Sequence, residues 1–130
     1  MKMQSSFVRV FGDTPRNRLW EFLVDSRGLF DYSMTDVSEA AEISWNTLKG
    51  IFPGFVKNNI VKETRKIGRA TMYMLNESHP KSEFMIGMHK AINIVFVRGG
   101  HFKLTMKVIE DKNAKPIELD VQKSALKTLA

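Results

Sequence analysis

The sequence predicts an α+β fold with helices first and paired strands after them, and three observations carry that expectation. Residues 33–58 hold two helical patterns separated by a short turn. Residues 60–75 hold two runs rich in strand-forming residues on either side of a glycine. Residues 102–121 alternate apolar and polar side chains around a polar turn, the period of two that marks half-buried strands.

Taken in order, residues 6–11 (Ser-Phe-Val-Arg-Val-Phe) combine β-branched and aromatic types and stop at Gly12, which predicts a short strand or extended arm. Asp13-Thr14-Pro15 then predicts a helix start, with Thr14 as cap and Pro15 in the first turn, where a missing N–H costs nothing. That helix extends to about Ser26, closed by Arg27-Gly28, and places Leu19, Trp20, Phe22 and Leu23 on one side. Trp20 reads as a core aromatic.

Ser33 and Asp36 form a capping-box pattern for a helix over Met34–Glu42 that buries Val37, Ala40 and Ala41. Asp31, Asp36 and Glu39 cluster at this helix start, where capping and the helix dipole account for acids. Ile43 is expected to plug a short turn and Ser44 to cap the next helix. There, Leu48, Ile51, Phe52 and Phe55 share one face, leaving Trp45, Asn46, Thr47, Lys49 and Gly50 elsewhere. Pro53 cannot donate to the carbonyl of Lys49, so a kink is predicted, with the helix reaching about Asn58 and Asn59 as a left-handed stop.

Ile60–Arg65 and Arg69–Leu75 read as a hairpin joined by Lys66-Ile67-Gly68. From Ser82 to Val97, Phe84, Met85, Met88, Ile92, Val95 and Phe96 follow helical spacing. This stripe exceeds the needs of a small core and points to a two-fold partner, the alternative being that it packs onto the protein's own first helix. Arg98-Gly99-Gly100 breaks the helix. Phe102–Val108 and Ile117–Val121 then form a second hairpin around a turn at 111–116, and residues 122–130 form a short helix or a frayed end.

Composition narrows the function. At 130 residues with 43% hydrophobic content, the chain suits one modest core with an added dimerisation element. It has no apolar run of membrane-spanning length, and its first six residues lack the apolar stretch of a secretion signal, so a cytoplasmic protein is expected. It has no cysteine, and His79 and His89 stand alone, so neither metal nor cofactor is expected. No phosphate loop or nucleophile motif supports an enzyme.

The net charge of +6 is unevenly spread. Residues 44–75 carry Lys49, Lys57, Lys62, Arg65, Lys66 and Arg69 against Glu63 alone, whereas residues 1–43 are net acidic. A helix, a turn, a second helix and a basic hairpin in that order outline a winged helix-turn-helix.

The stretches Phe-Gly-Asp-Thr-Pro (11–15), Phe-Asp-Tyr-Ser-Met-Thr-Asp (30–36), Ile-Ser-Trp-Asn-Thr-Leu (43–48), Ile-Val-Lys-Glu-Thr-Arg (60–65) and Ile-Gly-Arg-Ala (67–70) strengthen the reading. In order and spacing, residues 6–80 resemble an archaeal-type winged helix-turn-helix transcriptional regulator. That resemblance implies double-stranded DNA binding, usually as a homodimer. It supplies neither an operator nor a small-molecule effector, and the carboxyl-terminal hairpin departs from it.

The expected organisation is a DNA-binding domain at 6–76 and a helix-plus-hairpin extension at 77–130 for dimerisation. Trp45, Asn46, Thr47 and Lys49 are the expected groove contacts. Ser44, Lys57, Lys62, Arg65, Lys66 and Arg69 are the expected phosphate or wing contacts. The competing reading is a winged-helix module for protein interaction, DNA partition or replication.

Overall fold

A computed structural model describes residues 6–97, 102–106 and 117–121. Among them, five α-helices precede or flank a two-stranded antiparallel sheet, and a second strand pair follows, a mixture of helix and strand compatible with α+β. The expected break at 98–100, the turn at 111–116 and the segment 122–130 lie outside the described residues.

Residues 6–11 correct the sequence reading. They form helix α1 (Ser6–Phe11) rather than a strand. Phe7, Val8 and Val10 are buried while Arg9 is exposed, a helical i, i+1, i+3 pattern. Six residues are too few to hold a helix alone, so packing decides the outcome over β propensity. Gly12 ends the helix at φ +107°, and its N–H donates to the Val8 carbonyl at 2.8 Å.

Helix α2 (Pro15–Asp25) starts as anticipated, with the Thr14 hydroxyl accepting from the Asn17 N–H at 3.1 Å. It buries Leu19, Trp20, Leu23 and Val24, and Trp20 packs on Phe55 with ring centroids 5.1 Å apart. Helix α3 (Met34–Ala40) carries both halves of the capping box, at 2.9 and 3.2 Å. It ends two residues before the expected Glu42, because Glu42 turns left-handed at φ 55°.

That turn delivers Ile43 into the core at 2% exposure. The Ser38 hydroxyl donates to the Ile43 carbonyl at 2.6 Å. Arg18 spans the turn from α2, with Nη2 donating to the Glu42 carbonyl at 3.3 Å and Nη1 on Asp13 at 2.6 Å.

Helix α4 (Trp45–Lys57) runs through Pro53, which is exposed, and buries Leu48, Phe52 and Phe55. Its end is capped twice over, since both the backbone N–H and the side-chain amide of Asn58 donate to the Gly54 carbonyl. Asn59 takes the left-handed stop at φ 61°.

Strands β1 (Val61–Ile67) and β2 (Ala70–Leu75) pair antiparallel. The connection is shorter than the sequence suggests. Ile67 pairs with Ala70, leaving only Gly68 and Arg69 at the turn, with Gly68 at φ 60°. A positive φ at the first central residue alone suits a II′ turn, which matches strand twist. The far edge of β2 is bridged by Tyr32, which exchanges two backbone hydrogen bonds with Tyr73 at 3.0 and 2.7 Å.

Helix α5 (Pro80–Ile92) begins with the His79 ring nitrogen accepting from the Lys81 N–H, and passes into a π-helical segment over Asn93–Val97. Ile92 and Val95 are buried in the same core as α1–α4, so part of the apolar stripe is consumed within the chain. Phe84 on the same helix is 51% exposed. Strands β3 (Phe102–Met106) and β4 (Ile117–Val121) pair antiparallel with Leu104 opposite Leu119, as the alternation predicts.

Glu42 gives a direct test of how the turn between α3 and α4 is held. A left-handed backbone costs a side-chain-bearing residue roughly 1–2 kcal/mol, which glycine avoids at some cost in unfolded-state entropy. Glu42→Gly should therefore stabilise the protein by about 0.5–1 kcal/mol in chemical denaturation. Glu42→Val should destabilise it.

Candidate nucleic-acid interface

The exposed side of α4 is built by its own periodicity. With Leu48, Phe52 and Phe55 turned into the core, Trp45, Asn46, Lys49, Gly50 and Pro53 form an outward stripe, all of them exposed. Trp45 is 45% exposed, a large ring held at the start of the helix. Thr47 is exposed beside the stripe. The Ser44 hydroxyl accepts from the Thr47 N–H at 3.3 Å and donates to the Thr47 hydroxyl at 2.8 Å, so these two side chains cap the helix. Lys57 lies in the last turn, where a cation also suits the helix dipole.

All residues of β1 after Val61 are exposed, which makes it an edge strand rich in cations. Charged residues on an edge also prevent unwanted strand pairing. Residues paired across a ladder share one side of the sheet. Glu63 and Lys66 therefore share the side of Tyr73 and Thr71, and Tyr73 meets Phe52 of α4 edge-on at 5.0 Å. Lys62 and Arg65 pair with Met74 and Met72 on the opposite side. Arg69 sits in the turn. The structure thus brings Lys66 to the α4 side of the hairpin and separates it from Lys62 and Arg65.

Arg65 is not a free cation. Its Nε and Nη2 donate to the two carboxylate oxygens of Asp31 at 2.8 and 3.0 Å, and the Thr64 hydroxyl donates to the same carboxylate at 2.7 Å. A β-bulge between Glu63 and Arg65 makes this possible. The extra residue lets Thr64 and Arg65 both face the Met72 side, which regular alternation would forbid.

Asp31 is 13% exposed and Arg65 62%. The Arg65 guanidinium, with the Thr64 hydroxyl, holds the Asp31 carboxyl down at about 2, and Asp31 in turn raises Arg65 above its ordinary value. Sequence reasoning treated Asp31 as a helix-start acid. Its partners lie 33 and 34 residues away, with no local signal to announce them.

Away from this surface, His89 on α5 packs against α1. It stacks on Phe7 at 4.2 Å, its Nδ1 lies 2.7 Å from the Met85 carbonyl, and burial pushes its pKa down. It lines a cavity of about 340 Å³ between α1, α2 and α5, with Phe7, Val24, Arg27 and Lys90. Among the described residues, no group of three or more His, Asp or Glu side chains could hold a metal ion, and no helix is long and apolar enough to cross a membrane.

The Asp31 pair has a defined pH signature. A carboxyl depressed in the folded state stabilises it above its ordinary value of 3.8, and that contribution disappears as pH falls from there towards 2. Carboxyl-carbon NMR should find Asp31 titrating near 2 in the wild type and higher in Arg65→Ala, where the Thr64 hydroxyl still bonds the carboxylate. Asp31→Asn should flatten the loss of stability across the same window.

No protein family, curated protein or solved structure matches this chain.

Proposed function

We propose that the chain is a winged helix-turn-helix regulator of transcription that binds double-stranded DNA in the cytoplasm. In this reading α3, the Glu42–Ser44 turn and α4 are the helix-turn-helix, and β1–β2 is the wing. The observation that carries it is the exposed stripe Trp45, Asn46, Lys49 on α4, followed by a hairpin with an outward cation at its turn and another on the α4 side. A helix of this width fits the major groove, and an exposed amide near its amino end can pair with an adenine edge. Lys66 and Arg69 meet phosphates or an adjacent groove.

The same reading includes a homodimer through α5. Phe84 is half exposed there and supports it, since a large aromatic left outside one chain's core suits a partner's surface. The competing reading, a winged-helix piece for protein contact, partition or replication, draws on the exposed Trp45 ring. It differs in having no regulatory activity.

Two variants test the proposal by fluorescence anisotropy over a salt series, on DNA selected from a random pool. Replacing Lys66 and Arg69 by Ala together should weaken binding on every sequence. It should also flatten the log–log salt slope by roughly 1.8, because two fewer counterions are released. Asn46→Ala should leave the slope unchanged and relax preference at one base position, by about 1–3 kcal/mol. A wild-type protein that selects no sequence and shows no salt dependence would remove the assignment.

A further inference from the structure

Asp31, Thr64 and Arg65 form a cluster that the proposed DNA contacts do not use. Asp31 immediately precedes Tyr32, and Tyr32 bridges the edge of β2 opposite β1. Its carboxylate therefore reaches over β2 to side chains on β1. The three segments, the lead-in to α3, β2 and β1, are tied in order by two kinds of bond. Backbone hydrogen bonds join the first to the second, and the side-chain clamp joins the first to the third.

The clamp fixes more than the strands. The lead-in carrying Asp31 continues through the Ser33 capping box into α3, so the clamp relates the hairpin's tilt to the helix–turn–helix. The ladder to β2 holds β1 along its length, but the residues of β1 after Val61 are all exposed, so among the described residues the clamp is the side-chain tie from its outer half to the lead-in of α3. The bidentate contact occupies the Nε–Nη2 side of Arg65, on the side of the hairpin away from Tyr73 and α4. It also cancels the Arg65 charge as seen by a distant phosphate.

We propose that Asp31 and Arg65 are positioning residues of the interface. Their clamp holds the hairpin in the attitude that presents Lys66 and Arg69 to the nucleic acid, and it removes Arg65 from the phosphate-contacting set. The proposal rests on the DNA reading above and assigns Arg65 a role different from that of the other hairpin cations. Arg65 acts through geometry and the lysines through charge. Lysine cannot replace arginine in this role, because an ammonium lacks the planar fork that meets both carboxylate oxygens.

The experiment is a salt series of anisotropy titrations on the selected DNA, with the full chain held well below its melting temperature and folding checked by circular dichroism. Arg65→Ala and Arg65→Lys should both lower affinity, each roughly tenfold, the equivalent of one good contact. Neither should change the salt slope. Combining Asp31→Arg with Arg65→Asp should restore most of the affinity, since the exchanged pair again spans the same strands. Asp31→Asn, close in shape, serves as the milder variant should the charge reversal fail to fold; it should lower affinity less than Arg65→Ala does, because it loosens the clamp but uncovers the Arg65 charge.

Three results would overturn the proposal. The first is a slope reduced by roughly 0.9 in Arg65→Ala with full rescue by Arg65→Lys, which marks a direct phosphate contact. The second is unchanged affinity in folded Arg65→Ala, which marks a clamp serving stability alone. The third is a folded, exchanged pair that stays as weak as Arg65→Ala. Each leaves wild-type DNA binding intact and so is distinct from failure of the DNA reading, in which the wild type itself does not bind.

Discussion

The two backbone hydrogen bonds between Tyr32 and Tyr73 are the constraint on which the arrangement of helices and hairpin depends. They give β2 a neighbour on each edge and so convert an isolated hairpin, marginal in water, into part of the folded body. Each bond is worth only about 0.5–1.5 kcal/mol net, so their contribution is mainly register. With the register fixed, alternation turns Tyr32 inward and Asp31 outward. Tyr32 is 1% exposed, and burial pushes its phenol up to about 12, so its ring serves as core. Tyr73 lies against Phe52, and the hairpin is thereby seated on α4.

The turn between α3 and α4 is held by a comparable trade. Glu42 adopts a left-handed backbone at a cost of roughly 1–2 kcal/mol. In return Ile43 leaves water almost completely, and burying a side chain of that size contributes about 1.5–3 kcal/mol. Burial wins, and the hydrogen bonds from Ser38 and Arg18 satisfy the carbonyls that the turn would otherwise leave open. Ser44 then caps α4 immediately, so the outward stripe starts at Trp45.

How much of this was legible follows from distance along the chain. The caps at Thr14, Ser33 and Ser44 were readable because each bond spans three residues. The apolar faces of α2 and α4 were readable from their period, and Lys49 and Asn46 were correctly placed outside. Residues 6–11 were misread because Phe, Val and Phe favour strands in the absence of a partner, and the partner is a helical core assembled from later segments. Glu42 gave no warning, since neither glycine nor asparagine marks that turn. The bulge at Thr64 was invisible for the same reason, and with it the clamp, because one extra residue changes which side chains share a side.

That change of side alters what the charge count means. Residues 44–75 hold six cations, yet the anion that neutralises one of them comes from the acidic segment before it, so sums over segments misstate the local field. The remaining hairpin cations are not equivalent. Lys66 shares the side on which Tyr73 meets α4, Arg69 caps the turn, and Lys62 faces the other way. Interactions between exposed charges fade over about 8 Å at physiological salt, so the sidedness of a cation matters as much as its presence. Lys66 and Lys62 project from opposite sides of the strand. The hairpin's register, more than its net charge, therefore decides which cations act together.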